Sequence, residues 1–441
     1  MTDARTVAYD LLRAVDTRDA YANLLLPTLV RKLDARDRAF AAELGYGTLR
    51  ALGTLDHVLG FCSSRLVSEM DPPVRDVLRL GAYQLLRTRV PTHAAVSTSV
   101  DLARSVAGPG AAKFVNAVLR RVAERDGDLG APDYDADPAG HLAITTAHPR
   151  WIVEAFRDAL DGDWNETRAA LEADDRRPEV HLAARPGRIA RDGLLASALN
   201  AGLDAEPGPH SPYAVRLRGG DPGDVPAVRD GSAGVQDEGS QLAALALARL
   251  LGDGTHDVLD LCAGPGGKTA LLGALLNGRL VANELHEHRA RLVRDNAGRR
   301  ALTIAGDGRR GAWRPGSFDG VLLDAPCTGL GALRRRPEAR WRRTPDDVAP
   351  LAALQRALLD AAVAAVKPGG VVLYVVCSPH VAETREVVAD VQGTEPADLG
   401  VALPGIAEGP AVQLWPHRHG TDAMFLAALR RIVTESSLDS A

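Results

Sequence analysis

The stretch DVLDLCAGPGGKTALLGALL, residues 257–276, runs from a short apolar segment through a glycine-rich turn into an Ala/Leu-rich segment. Strand, tight turn and helix in that order is the opening unit of an α/β sheet. Glycines let the backbone pass close to a ligand, and the helix start beyond them offers unpaired N–H groups and positive dipole. Two familiar phosphate-binding spacings fail here. A nucleoside-triphosphate loop needs glycine five residues before Gly267, where Cys262 stands, and a dinucleotide fingerprint running from Gly264 and Gly266 needs a third glycine at Thr269. Taken alone, the loop also suits a strand-to-helix turn that holds nothing.

Further runs share its character: RLVANEL, ALTIAGD, FDGVLLDAP and GVVLYVVCS, with helical segments between them. Near-continuous apolar strands alternating with helices predict a parallel sheet covered on both faces, whose ligands bind at the carboxyl ends of the strands. Acids stand at those ends. Glu284 closes the second run about 20 residues past the glycines, where an acid can accept from a ribose. Asp307 closes the third and Asp324 the fourth. Each alone also suits a helix cap or turn. Together they describe a crevice for a nucleoside-bearing cofactor without phosphates.

Two of the four cysteines occupy matching strand ends, Cys327 in LLDAPCTGLG (322–331) and Cys377 in LYVVCSPH (373–380). With Cys62 and Cys262 they are too few and too scattered for a disulfide framework and read as free thiols in a reducing compartment. Cys62 and Cys262 suit small buried hydrophobes. The first twenty residues carry charges throughout and resemble no secretion signal, and no charge-free run reaches membrane-spanning length, so a cytoplasmic protein is expected. At 46% hydrophobic and 25% charged the composition is that of an ordinary globular protein, and its 441 residues suit two or three domains. A net charge of −5 gives no global sign of nucleic-acid binding, so local patches must carry it. The basic residues are nearly all arginine, which sets Lys268 in the glycine loop apart.

The chain divides into an all-helical part over 1–126, a linker over 127–147, a small α+β segment over 148–232, the α/β part over 233–434 and a disordered tail over 435–441. In the first part apolar residues recur at helical spacing, as in TVAYDLLRAV and PPVRDVLRLGAYQLLR.

DLCAGPGGKT, GDGRR, DAPCTGLGALRRRPEARW and YVVCS together resemble the RNA cytosine-5 methyltransferases of the RsmB/NOP/NSUN family, and RDRAFAAELGYGTLR with KFVNAVLRR resembles the NusB-like RNA-binding domain. The two joined in one chain are similar to the Sun/Fmu type, which act on bacterial small-subunit (16S) rRNA. The resemblance implies a Rossmann-like class I methyltransferase domain with a mostly parallel seven-stranded sheet. It implies S-adenosyl-L-methionine held by Cys262, Ala263, Gly264, Pro265, Gly266, Gly267, Lys268, Glu284, Arg289, Asp307 and Asp324. It also implies an RNA partner, no DNA or membrane, and a monomer. Relatives modify transfer RNA, so that substrate stays open, as does a non-catalytic assembly factor.

The chemistry explains paired thiols. C5 of cytosine is a weak nucleophile until a thiolate adds to C6, and the adduct must afterwards be undone. Spacing leaves the two roles open, and the Pro-Cys pair of DNA cytosine methyltransferases favours Cys327 as nucleophile. The RNA-family likeness instead implies Cys377 as nucleophile, Cys327 as helper in release, Asp324 on the amino and N3 edge of the base, and Lys268 near cofactor and base. Val376, Glu284 and Met424 depart from the family pattern of threonine, aspartate and an aromatic residue. RRRPEARWRR, residues 334–343, sets six arginines around Trp341 and predicts RNA contact. A zinc deaminase would need cysteine at Leu330, and the histidines at 286–288 and 417–419 lack companion ligands, so no metal is expected.

Overall fold

The computed structural model describes residues 3–433, and the tail over 435–441 lies outside the described residues. The chain forms two compact units.

One unit comprises the chain up to Arg177 together with Leu333–Arg343. Its helices Ala4–Arg18 and Ala35–Cys62 are each started by an aspartate, Asp3 accepting from the Thr6 N–H and Asp34 from the Asp37 N–H. Pro72–Arg87 begins on proline, whose missing N–H costs a helix nothing in its first turn. Thr92–Glu124 breaks at Gly108, φ 86°, before Pro109. Leu11, Leu44, Leu55, Leu59, Leu78 and Leu119 are fully buried in one cluster. Each contributes about 1.5–3 kcal/mol of burial. Within the expected linker, Pro138–Thr145 is a helix capped by Asp137, and Arg150–Ala159 and Trp164–Asp175 follow in the same unit.

The other unit comprises Pro178–Ala332 and the chain from Thr344 onward. It opens with strands β1 (Val180–Ala184), β2 (Ala205–Pro207), β3 (Ala214–Leu217) and β4 (Ala233–Val235), an antiparallel sheet in the order β2-β3-β1-β4. Its second sheet has eight strands: β5 (Val258–Asp260), β6 (Leu280–Glu284), β7 (Leu302–Ala305), β8 (Phe318–Asp324), β9 (Val366–Val376), β10 (Thr394–Pro396), β11 (Ala411–Gln413) and β12 (Phe425–Arg431). The order is β10-β12-β9-β8-β5-β6-β7, with β11 beside β12. The stretch from β9 to β7 is parallel, and β12 pairs antiparallel with β9, β10 and β11. The path thus has the seven strands expected, and β11 adds an eighth.

Side chains on β8 and β9 alternate between two cores, as a pleated strand dictates. Leu322, Leu373 and Val375 join the cluster under the helices Glu238–Leu251 and Gly267–Leu275. Leu323, Val372 and Tyr374 join the cluster under the helix Val348–Ala365. That helix is long and apolar enough to cross a membrane by length and composition, yet Leu358, Leu359 and Ala362 are buried in this core. The chain winds one way from β5 through β6 to β7 and the other way through β8 to β9, so the crevice opens where β5 and β8 adjoin.

Candidate active site

The glycine loop leaves β5 and enters the helix Gly267–Leu275. Gly266 has φ 106°, and a Cβ there would stand 2.8 Å from the Val293 Cα. A Cβ on Gly264 would stand 2.9 Å from Arg289 Nε and closer still to Glu284 Oε2. The loop is therefore closed to side chains at the two positions that face the next strand end and helix. Glu284, at the end of β6, accepts from the N–H groups of Gly264 at 3.0 Å and His286 at 3.1 Å, and Arg289 donates to the Gly264 carbonyl at 2.7 Å. Ala263 donates to the Asn283 carbonyl at 2.8 Å, and the Pro265 carbonyl accepts from Asn296 at 2.9 Å. Cys262 is half-buried, and burial followed by the Asp260 charge pushes its thiol well up.

Asp260 ends β5 fully buried. Its Oδ2 accepts from Thr269 at 2.7 Å, and its Oδ1 has no partner among the described residues. Burial pushes its carboxyl up to about 7. An orphaned buried acceptor beside a loop with no room for side chains fits a polar ligand at the crevice.

Asp324 ends β8 and accepts from Lys268 Nζ at 2.7 Å. Burial alone would lower the Lys268 ammonium, but Asp324 outweighs it and Cys377 adds to the rise, so the lysine stays charged. Parallel pairing sets Asp324 level with Val375 on β9, two residues before Cys377. Beyond Asp324 the chain turns through Cys327, and its sulfur comes 3.4 Å from that of Cys377. Neither cysteine is in a disulfide, and both are only half-buried. The hydrogen bond with Cys377, then burial, then the charges of Cys377 and Glu383 hold the Cys327 thiol well above its ordinary range.

The structure thus gathers Gly264, Glu284 and Arg289 into one bonded group and, at the ends of β8 and β9, forms the bonded pairs Lys268–Asp324 and Cys327–Cys377. Asp307 follows β7, but it caps its own turn, accepting from the Arg309 N–H and pairing with the Arg309 guanidinium at 2.7 Å. That pairing draws its carboxyl down to about 2. Sequence reasoning passed over the buried acceptors Asp260 and Glu383 and the amide of Gln355. Asp260 lies inside the quoted motif, and its signal was the acid at the first strand end.

The arginine run corrects an expectation. Leu333–Arg343 is packed within the helical unit, and Arg340 is fully buried. Its guanidinium donates to the carbonyls of Ala147 at 3.1 Å and Asp174 at 2.7 Å and pairs with Asp175 at 3.3 Å. The Asp174 carbonyl lies in the last turn of Trp164–Asp175, where acceptors are left over and a cation is favoured, and Ala147 follows just past the end of Pro138–Thr145. Trp341 Nε1 donates to the Leu49 carbonyl at 2.9 Å, and Arg342 donates to those of Val15 and Ala20. Of the predicted RNA-contact residues, Arg340 is buried, and Trp341 is half-buried with its indole N–H bonded to Leu49. Among the described residues, no group of three or more His, Cys, Asp or Glu side chains is placed to hold a metal ion.

The sequence matches the family described as 16S rRNA methyltransferase RsmB/F over residues 248–430. It matches the NusB family over 2–124 and a ferredoxin-like domain of RsmF/B-like methyltransferases over 148–223. It is 55% identical to the Mycobacterium tuberculosis protein MT1451, named as a methyltransferase, across 97% of this chain and 96% of that one. It is 34% identical to the ribosomal RNA small subunit methyltransferase B of Salmonella paratyphi B, across 96% and 98%. The fold matches the crystal structure of PH0851 with a TM-score of 0.80 at 22% identity, covering 97% of this chain and 98% of that one. Alike over nearly its whole length in sequence and in fold, the chain belongs to the 16S rRNA methyltransferase RsmB/F family.

Proposed function

We propose that this RNA methyltransferase transfers a methyl group from S-adenosylmethionine to C5 of a cytosine in small-subunit ribosomal RNA, through a covalent bond between Cys377 and C6 of the base. The observation that carries the reading is the thiol pair at the ends of β8 and β9, 3.4 Å apart, next to the Lys268–Asp324 ion pair.

The residues at the crevice fit the cofactor. The Gly264 and Gly266 backbone gives close approach, the Gly267–Leu275 helix start offers free N–H groups, and Glu284 and the orphaned Asp260 oxygen offer acceptors. When bound, S-adenosylmethionine supplies an electrophilic methyl group on a sulfonium.

Every other step falls to the chain. The Cys377 thiolate, with the Lys268 ammonium as neighbouring cation, forms a bond to C6, and the C5–C6 π electrons move to C5, which becomes nucleophilic. Asp324 accepts from the amino group of the base and holds it in place. After transfer the C5 proton leaves to water, and as its electron pair re-forms the C5–C6 double bond the C6–S bond breaks with its own pair going to Cys377. The Cys327 S–H, within hydrogen-bond reach, stabilises the departing sulfur. The base must leave any stack to enter the crevice, which calls for RNA that is single-stranded or flipped at that point. The bacterial relatives support a cytoplasmic site of action.

The test offers unmodified 16S rRNA and bulk tRNA with S-adenosylmethionine and maps 5-methylcytosine by bisulfite sequencing. One protected cytosine in the rRNA is expected. Protection confined to tRNA, or none in either RNA, contradicts the proposal.

A further inference from the structure

Glu383 is fully buried in the turn after β9, at the end of the short 3₁₀ segment Val381–Glu383. Four donors converge on it: the Thr328 N–H at 2.8 Å, the Gln355 amide at 3.1 Å, the Ser378 hydroxyl at 2.6 Å and the Thr328 hydroxyl. Thr328 follows Cys327 and Ser378 follows Cys377, so one carboxylate ties down the residue after each thiol. Gln355 also donates to the Pro326 carbonyl at 2.8 Å, gripping the residue before Cys327. The Tyr374 hydroxyl donates to the Glu383 carbonyl at 2.7 Å and anchors the turn to β9. All of these groups hold the turns that carry the two sulfurs.

We propose that Glu383 is a positioning residue that holds Cys327 and Cys377 in register by accepting from the residue that follows each. This deepens the two-thiol reading and rests on it for its catalytic meaning. The geometric claim stands by itself. Without the carboxylate, the Thr328 N–H and three side-chain donors lose a buried acceptor, and both turns must shift to find others. Glutamine keeps the shape: its oxygen accepts from the Thr328 N–H and Gln355, and its amide donates to the two hydroxyls, which rotate to accept. Aspartate keeps the charge but is one methylene shorter.

The readout is the rate at which diamide joins the two thiols in the full chain. Two S–H groups become one S–S bond, and the reagent takes up both hydrogens as it is reduced to the hydrazine. Wild type and Glu383→Gln are expected to cross-link at similar rates, and Glu383→Ala about tenfold or more slowly, because displacement of either sulfur removes the encounter. Where Glu383→Ala does not fold, Glu383→Asp is expected to be slowed likewise. In methyl transfer, Glu383→Ala should lose about tenfold or more in kcat with the KM for S-adenosylmethionine unchanged, and Glu383→Gln should restore it. Cross-linking of Glu383→Ala or Glu383→Asp at the wild-type rate would overturn the proposal. Cross-linking needs neither RNA nor cofactor. A wild type that methylates no cytosine would therefore defeat the function proposed above while leaving the role of Glu383 readable.

Discussion

Lys268 Nζ and Asp324 Oδ2 meet at 2.7 Å although one residue begins a helix and the other ends a strand. The bond fixes the cation near the thiol pair and, in the proposed reaction, holds the carboxylate that meets the base. Asp324→Asn keeps the shape and removes the charge that holds the ammonium. It should lower kcat by about 100-fold or more, the scale of losing one preorganised electrostatic partner, without changing thermal stability by more than a few degrees. Single-turnover methyl transfer with unmodified 16S rRNA, alongside a melting curve, checks it.

Asp260 makes stability depend on pH. Its carboxyl is pushed by burial from 3.8 up to about 7, so between those values the folded chain holds a proton that the unfolded chain has released. The stability it contributes is complete below pH 3.8 and falls as pH rises towards 7, by at most about 1.4 kcal/mol per pH unit. Asp260→Asn can still accept from Thr269 and carries no such proton. The stability difference between wild type and Asp260→Asn, measured by denaturant unfolding from pH 5 to 7, should shift steadily against the wild type. A difference that stays flat over that range would refute the assignment.

The glycine loop should tolerate no side chain. Gly266→Ala must hold φ 106° with its Cβ 2.8 Å from a backbone carbon, and strain of about 1–3 kcal/mol follows. S-adenosylhomocysteine affinity by titration calorimetry is expected to drop about tenfold or more, with Gly298→Ala, which meets open space at φ 58°, as the control for a positive φ alone.

Arg340 separates structure from RNA contact. Arg340→Ala removes a buried guanidinium from two helix-end carbonyls and from Asp174 and Asp175, and it should destabilise the protein by about 3–5 kcal/mol. Were it a phosphate contact instead, RNA affinity and its salt dependence would fall with stability unchanged. Chemical unfolding and filter binding together distinguish these outcomes.

The α/β sheet was readable from sequence because its strands β5 to β9 are almost uniformly apolar runs ended by an acid or a cysteine. The antiparallel edge was not, since β10 and β11 are three residues long and carry no periodicity. Cys327, Cys377, Asp324 and Lys268 could be singled out because each interrupts an apolar or glycine-rich pattern, and the structure brings all four together. Glu383 and Gln355 could not, because a buried acceptor in a turn looks like any surface acid until its donors are known. Arg340 within the arginine run misled for the same reason. Six arginines read as a solvated surface or an RNA grip, and only packing reveals that Arg340 serves carbonyls left over at helix ends.

The most direct test of the two-thiol account mixes wild type, Cys327→Ala and Cys377→Ala with unmodified 16S rRNA and S-adenosylmethionine and resolves RNA–protein adducts on a denaturing gel. The account expects Cys327→Ala to accumulate a heat-stable adduct and Cys377→Ala to form none and transfer no methyl group. An adduct that accumulates in Cys377→Ala and not in Cys327→Ala would exchange the two roles, and methyl transfer by Cys377→Ala with no adduct in any protein would contradict the account.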